Sequence, residues 1–190
     1  MRPFYTFAIV TIIFTLSFGD ASAQIRANFI ETSNAPTPAQ IAAYRNSIWE
    51  ELPSPDGWTN DYEGIFTIEE EQTLSGMITK LESRTSIEIA IVTVDSNMVS
   101  LDKFDEFADH ILNVWGVGKK EKENGIVICI SSQYRKIAIS RGAGIDNLLS
   151  DVLTKHLIAK NFIPLYRKHN YYGGTLSGLI ALINLLQPPA

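Results

Sequence analysis

The sequence of 190 residues contains a single cysteine, Cys129, so no intramolecular disulfide bond can form. The formal net charge of -5 leaves no basic excess, and residues 119–123 mix lysine with glutamate. Proteins that bind nucleic acid need a basic surface to neutralise phosphates, so we exclude nucleic acid as a partner. The core must stabilise the fold without a disulfide bond, and a chain of this length buries enough surface to do so.

The sequence also lacks the usual signatures of hydrolases and zinc sites. It contains neither a Gly-x-Ser-x-Gly motif nor a Walker phosphate loop. His110, His156 and His169 share no spacing typical of zinc ligands. Cys129 and Arg135 are spaced as in the phosphate loop of cysteine-dependent phosphatases, but no glycine lies between them. We therefore interpret Cys129 as a buried core residue.

Long apolar runs occur near the two ends of the chain. Arg2 precedes an apolar run over residues 4–18, and Ala21-Ser22-Ala23 follows, as in a secretory signal peptide cut after Ala23. An uncleaved anchor is the alternative, but the run is shorter than the ~20 residues of a membrane span. The run over residues 171–186 contains Asn184 and favours a packed helix. We predict a periplasmic or secreted protein whose mature chain has no transmembrane segment.

The proline-rich residues 53–57 divide the mature chain into two parts. Residues 24–52 are interpreted as an N-terminal extension with a short helix, which begins at Thr37-Pro38-Ala39-Gln40. Residues 53–187 are interpreted as the main domain. We therefore expect three parts in all, with the signal peptide over residues 1–23.

The main domain alternates helical and strand patterns. Apolar residues recur at helical spacing in residues 67–82, 101–115, 148–157 and 171–186. Continuous or alternating apolar patterns predict strands over residues 86–94, 126–130 and 137–140, with a hairpin bend at 131–134. This order predicts an α/β fold, a three-layer α/β/α sandwich with a mixed central sheet.

Oxygen-bearing side chains lie near the predicted strand and helix ends. They are Asn60, Asp61, Asn124, Asp146 and Asp151. Carboxylates and amides from separate loops can converge on calcium or magnesium. The alternative is that these residues cap helices, which is common for Asp and Asn. Glycines at positions 116, 118, 125, 142 and 144 bracket the predicted hairpin, so we expect any site between Trp115 and Asp151.

Several of these segments resemble the TPM domain family. The matching pieces are Pro53-Ser54-Pro55, Asn60-Asp61-Tyr62, residues 115–120, Asn124-Gly125, Gly142-Ala143-Gly144, Asp151, Pro164 and Tyr171. The resemblance covers residues 52–186 and implies an α/β/α sandwich outside the cytoplasm. Acid phosphatase activity and divalent-cation binding are associated with a plant member. The family usually has Gly-Tyr-Gly at positions 142–144, so Ala143 removes an aromatic side chain.

The leading hypothesis is one surface cleft built from distant loops, in which a bound divalent cation supports acid phosphatase activity on phosphoesters. The resemblance supplies Asp61 and Asp151 by position, whereas Arg141 stands where the family is usually apolar. The expected residues are Asp61, Asp151 and Arg141 for catalysis, Lys119, Gly142 and Gly144 for phosphate, and Asp61, Asn124 and Asp151 for Ca²⁺ or another divalent cation. The alternative is a non-catalytic interaction module that binds an envelope protein partner in assembly or repair. The absence of a recognisable nucleophile favours this alternative, and both functions stay open at this point.

Overall fold

The computed structural model describes residues 35–187, and the residues from Thr37 onward form one compact unit. The predicted signal peptide and residues 24–34 lie outside the described residues. Within residues 35–187, four strands form one sheet in the order β1-β2-β3-β4. They are β1 (Thr59–Asp61), β2 (Glu88–Thr93), β3 (Gly125–Ser131) and β4 (Lys136–Arg141). The first three strands are parallel and β4 runs antiparallel to β3, so the sheet is mixed.

Helices cover both faces of this sheet. They are α1 (Pro38–Glu50), α2 (Ile68–Thr85), α3 (Phe104–Val114), α4 (Asp151–Leu157), α5 (Ile163–Tyr166) and α6 (Tyr171–Leu186). A π-helical segment, Ile158–Phe162, joins α4 to α5. Ile89, Ile91 and Ile128 pack against α2 and α6, whereas Val92 and Cys129 pack against α1 and α3. The predicted α/β/α sandwich is therefore confirmed.

The two predicted capping boxes start α1 and α2. In α2, Thr67 Oγ1 accepts a hydrogen bond from the Glu70 backbone N–H at 3.2 Å, and the Glu70 carboxylate accepts one from the Thr67 N–H at 2.9 Å. Thr37 and Gln40 form the same reciprocal pair at α1. Each box satisfies backbone donors that have no partner inside the helix, which fixes where the helix begins.

The strand register separates the sheet into two ends. At one end, Asp61 of β1 aligns with Thr93 of β2, which aligns with Ile130 of β3. At the other end, Ile126 of β3 aligns with Arg141 of β4. With about 3.3 Å per residue along a strand and about 4.8 Å between strands, Asp61 and Arg141 lie roughly 20 Å apart. We call these the Asp61 end and the Arg141 end.

Two details differ from the sequence prediction. The three-residue strand β1 was not predicted, because three residues are too few to show a strand period. The helix predicted over residues 148–157 begins only at Asp151, and its supposed core residues Leu148, Val152 and Leu153 are 45%, 79% and 39% exposed. None of the helices described in residues 35–187 is long and apolar enough to cross a membrane.

Candidate functional site

A large polar cavity lies at the Arg141 end, where loops 116–123 and 142–143 meet β4 and α3. Its volume is about 680 Å³. The charged and hydroxyl-bearing side chains that line it are Asp109, Lys119, Lys120, Glu123, Ser140 and Arg141. We call this cavity the polar hollow. It falls within the stretch from Trp115 to Asp151 where the sequence predicted a site.

Glycines build the walls of the polar hollow. Gly118 has φ +101°, and a Cβ atom at this position would lie 2.3 Å from the Gly125 backbone nitrogen. A Cβ at Gly125 would in turn lie 1.8 Å from the Val117 carbonyl oxygen. Two backbone segments thus touch where any side chain would collide. The loop is held against the start of β3 by this contact.

The predicted phosphate-binding glycines have their N–H groups occupied. The Gly142 N–H donates to the Gly125 carbonyl at 2.9 Å, and the Gly144 N–H donates to the Glu123 carbonyl at 3.1 Å. An anion needs free amide donors, and these two are already satisfied. In this arrangement, Gly142 and Gly144 fasten the two loops of the polar hollow to each other.

Asn124 and Lys119 also make structural contacts. The buried Asn124 side chain accepts a hydrogen bond from the Lys119 N–H at 2.8 Å and donates to the Ser86 carbonyl at 2.8 Å. The Lys119 ammonium pairs with Glu88 and, at 3.2 Å, with Glu82. Hydrogen bonds to Glu88 and then Glu82 raise the pKa of Lys119. Asn124 therefore fixes the loop, and the charge of Lys119 is already balanced.

Arg141 and Asp151, both predicted as catalytic, are in contact. Arg141 Nη2 donates to Asp151 Oδ1 at 2.7 Å, and Nε donates to Asp146 Oδ1 at 3.0 Å. The hydrogen bond from Arg141 lowers the pKa of Asp151, so this pair persists above the ordinary aspartate pKa and is lost as the pH falls through the lowered value. Asp151 is also the first residue of α4, where its negative charge interacts favourably with the positive end of the helix dipole.

Asp61 lies at the opposite end of the sheet from these residues. Its carboxylate accepts hydrogen bonds from the Thr93 hydroxyl at 2.5 Å and from the Phe66 backbone N–H at 2.7 Å. The expectation that Asp61 shares one cleft with Asp151 is therefore wrong. Because Asp61 is also remote from Asn124, the three predicted metal ligands cannot bind one ion.

Sequence reasoning missed two polar contacts. Glu63 closes the β3–β4 hairpin, since its carboxylate accepts from the Ser132 N–H at 2.7 Å and from the Ser131 hydroxyl at 3.2 Å. In the polar hollow, the Ser140 hydroxyl donates to Asp109 Oδ1 at 2.5 Å. The alternation of β4 places Ser140 opposite in direction to its apolar neighbours, which is the one sequence signal that pointed to it. Asp109 had no such signal because it lies on the polar face of α3.

Cys129 and the described histidines make no metal cluster. Cys129 is fully buried in β3, and this burial raises the pKa of its thiol. The His110 ring stacks on Trp49 at 4.5 Å, and its Nε2–H donates to the Trp49 carbonyl. In the part of the chain that the structure describes, no group of three or more His, Cys, Asp or Glu side chains could hold a metal ion. Cys129 is therefore a core residue, as its sequence context predicted.

A family model for the TPM domain matches residues 59–185, which is more than half of the chain. The chain belongs to the TPM domain family. Two chloroplastic UPF0603 proteins, from Oryza sativa subsp. indica and subsp. japonica, are each 28% identical to this TPM domain protein over 120 residues. The match covers 63% of this chain and 40% of those proteins, so the chain spans less than half the length of the curated relatives.

Solved structures show the same fold. The N-terminal domain of a protein from P. gingivalis superposes with a TM-score of 0.63 at 24% identity, covering 74% of this chain and 87% of that one. The BA42 protein of Bizionia argentinensis gives 0.56 at 23% identity, covering 66% and 83%. The N-terminal domain of the cg2496 protein of Corynebacterium glutamicum gives 0.54 at 14% identity, covering 73% and 85%. These similarities support the fold alone.

Proposed function

We propose that this TPM domain is a non-catalytic interaction module that binds an extended segment of an envelope protein partner along β4. The observation that supports this proposal is the position of β4 at the edge of the sheet, with no further strand beside it among residues 35–187. An edge strand offers backbone donors and acceptors to which a partner strand can add.

The hydrogen-bond pattern identifies the groups on offer. The Gly142 N–H donates to the Gly125 carbonyl, so the pair 125 and 142 belongs to the bonded set of this antiparallel ladder. Bonded pairs alternate along an antiparallel ladder, so Ser140 and Ala138 also bond inward to β3. The N–H and carbonyl groups of Ile137, Ile139 and Arg141 therefore point away from β3 and toward the open edge.

A groove runs along this edge between α3 and α4. Its volume is about 360 Å³, and β4 residues 137–141 form its floor. Ala108 lines one wall, and Thr154 and Ile158 line the other. A groove of this volume, with a strand as its floor, suits a short extended segment better than a folded domain. An extended partner segment is therefore the occupant we propose.

Substituting Ile139→Pro is expected to weaken partner binding about tenfold, the equivalent of ~1.4 kcal/mol. Proline removes the outward N–H while leaving the inward bonds of residues 138 and 140 in place, and edge strands tolerate such a proline. The matched control Ile139→Ala keeps the N–H and removes most of the side chain. Capture from a cross-linked envelope extract, followed by mass spectrometry, measures the partner retained by each variant.

The proposal predicts one partner that Ile139→Ala retains and Ile139→Pro loses. Circular dichroism melting must show that Ile139→Pro is folded at the temperature of capture. A partner retained equally by the folded proline variant would bind elsewhere and would refute strand addition. Equal loss with alanine would assign the contact to the side chain and would also refute it.

A second candidate function is phosphomonoester hydrolysis in the polar hollow. The observation that favours it is the hydrogen bond from Ser140 to Asp109 in the cavity that Arg141 also lines. A hydroxyl beside a carboxylate and a fixed guanidinium can bind and polarise a phosphate group. The described side chains do not fit a divalent-cation cage, so we assign no step to a metal ion.

Turnover of p-nitrophenyl phosphate, with and without a chelator, tests this second candidate. If the polar hollow is catalytic, Asp109→Asn is expected to lower kcat/KM at least about a hundredfold, the range of general-base catalysis. Asp105→Asn is the control, since Asp105 lies on the same helix but pairs with Lys136 outside the polar hollow. No turnover by the wild type, or equal rates in both variants, would remove this candidate. Loss of turnover with the chelator would reinstate a metal ion.

We further propose that the protein is exported. The apolar run before Ala21-Ser22-Ala23 and the chloroplastic relatives support this placement. The mass of the protein isolated from a periplasmic fraction or culture medium tests it. A mass that corresponds to a chain beginning at Gln24 is expected, whereas an intact chain in the cytosolic fraction would refute export.

A further inference from the structure

A second cavity lies near the Asp61 end, between the β3–β4 hairpin and the start of α6. Its volume is about 380 Å³, and it is more enclosed than the polar hollow. Its lining residues are Arg135, Ile163, Tyr166, Arg167, His169 and Tyr171. We call it the cationic cleft. Arg135 precedes β4 and Arg141 ends it, so the cationic cleft and the polar hollow lie at opposite ends of this strand.

The arginines of the cationic cleft have no counter-ion among the residues that the structure describes. Two arginines and a histidine line the cavity, and no acidic residue does. Within residues 35–187, neither Arg135 nor Arg167 is within ion-pair distance of a carboxylate. By contrast, Arg141 binds two aspartates. In a chain with a formal net charge of -5, unpaired guanidinium groups that share one cleft indicate a site for an anion.

Two of these residues have a positive φ angle, which is unfavourable for residues that carry a side chain. Arg135 has φ +52° and His169 has φ +58°, whereas the left-handed region is usually left to glycine or asparagine. Glycine or asparagine would adopt this backbone conformation at a lower energetic cost at either position. Residues held at such conformational cost are concentrated at binding sites, because the side chain is needed there.

The walls of the cationic cleft are rigid. The Tyr166 hydroxyl shares a hydrogen bond of 2.8 Å with Thr175 Oγ1, and the Tyr171 hydroxyl donates to the Ser132 carbonyl at 3.3 Å. The two tyrosine rings lie 5.1 Å apart. The bond from Tyr171 ties α6 to the hairpin that carries Arg135. Hydrogen bonds therefore hold the walls beside the cationic side chains in place, which lowers the cost of ordering a binding site.

The first residue of α6 also lines the cationic cleft. Tyr171 begins this 16-residue helix, whose N-terminus carries the positive end of the helix dipole. The dipole adds to the field of the two arginines. The cavity volume of about 380 Å³ lies toward the lower end of small-ligand sites, ~300–1,000 Å³. A bound ligand can therefore be larger than a bare oxyanion, with an organic part against Ile163 and Tyr171.

We propose that the cationic cleft binds a small ligand that carries a tetrahedral oxyanion, a phosphate or sulfate group. Arg135 and Arg167 contact the oxyanion, and the aromatic wall contacts the organic part. This site is separate from both the β4 edge and the polar hollow. A test of this anion site is therefore independent of the tests of the proposed functions.

Titration of the full-length protein with inorganic phosphate, sulfate and phenyl phosphate, followed by two-dimensional amide NMR, tests the proposal. Saturable shifts are expected at Arg135, Arg167, His169 and Tyr171. Phenyl phosphate is expected to bind about tenfold more tightly than phosphate, because its ring packs on the aromatic wall. Equal binding of phosphate and phenyl phosphate would reduce the ligand to the bare oxyanion and refute the organic part of the proposal.

Two variants and a matched control identify the site. Arg167→Gln and Arg135→Asn are each expected to weaken binding about tenfold, through loss of a charge-assisted contact. Arg84→Gln removes the same charge from an arginine at the C-terminal end of α2, near the Arg141 end, and is expected to leave binding unchanged. Equal weakening by Arg84→Gln would indicate a general charge effect, and unchanged binding in the other two variants would place the ion elsewhere. Either result overturns the proposal.

Arg135→Asn has a second readout that a purely structural role would not produce. Asparagine tolerates the left-handed conformation better than arginine, so the melting temperature is expected to stay equal or rise while binding falls. A lower melting temperature together with unchanged binding would mean that Arg135 serves the hairpin and not a ligand.

Discussion

Substituting Gly125→Ala is expected to lower the free energy of unfolding by about 4 kcal/mol, at the upper end of single-substitution effects. The added Cβ would lie 1.8 Å from the Val117 carbonyl oxygen and 2.4 Å from its carbonyl carbon. Both atoms belong to the backbone, so no side-chain rotation can relieve the collision. Either β3 or the loop of the polar hollow must move, and movement of β3 disturbs the fully buried centre of the sheet.

Gly76→Ala is the matched control for this substitution. Gly76 lies inside α2, and a Cβ at this position would have no atom within 4 Å. Alanine in a helix interior is expected to raise the free energy of unfolding by about 0.5–1 kcal/mol. Urea unfolding of both variants measures the two effects. Similar stability of Gly125→Ala and the wild type would mean that the loop yields easily and does not wall a fixed cavity.

Substituting Asp61→Ala is expected to lower the free energy of unfolding by about 2–3 kcal/mol, because it leaves a buried hydroxyl and a backbone N–H without their acceptor. The hydroxyl belongs to Thr93, which also accepts a hydrogen bond from the Glu63 N–H at 2.9 Å. The N–H belongs to Phe66, just before the start of α2. The substitution therefore removes hydrogen bonds that connect β2, the turn after β1 and the start of α2.

Asp151→Ala is the control for Asp61, since the sequence assigned equal importance to the two acids. The Asp151 side chain is 80% exposed and makes a surface ion pair with Arg141, so its removal is expected to lower the free energy of unfolding much less than the removal of Asp61. Chemical denaturation at neutral pH compares the two variants. Equal losses would show that the carboxylate of Asp61 contributes no more than a surface charge.

Much of the architecture follows from local sequence features. The capping boxes at Thr37 and Thr67 fix helix starts because each satisfies named backbone donors. The apolar run of β2 predicts a strand covered on both faces, as the structure shows. The exposure of Val152 could not be predicted from the sequence. An apolar stripe shows which side chains could be buried, but it does not show whether another element packs on them. Its side chain is 79% exposed.

The prediction that the site residues share one cleft was wrong for a topological reason. Asp61 is the last residue of a strand, whereas Asn124 directly precedes one. In a parallel sheet, residues after a strand and residues before a strand lie at opposite ends, so recognition of β1 would have separated these two residues at once. Arg141 is the last residue of the antiparallel strand β4, and it therefore lies at the same end of the sheet as Asn124. The glycine pattern indicated the region of the polar hollow because glycine is needed where two backbone segments approach closely. This requirement is visible in the local sequence.

Helix α1 has a practical consequence for any shortened version of this protein. Trp49 of α1 stacks on His110 and lies 5.8 Å from the Phe107 ring, yet the family match begins only at residue 59. A truncation at that boundary would strip the cover from α3 and present its aromatic surface to water. Such a fragment is prone to aggregate, so recombinant work is best begun at or before Thr37.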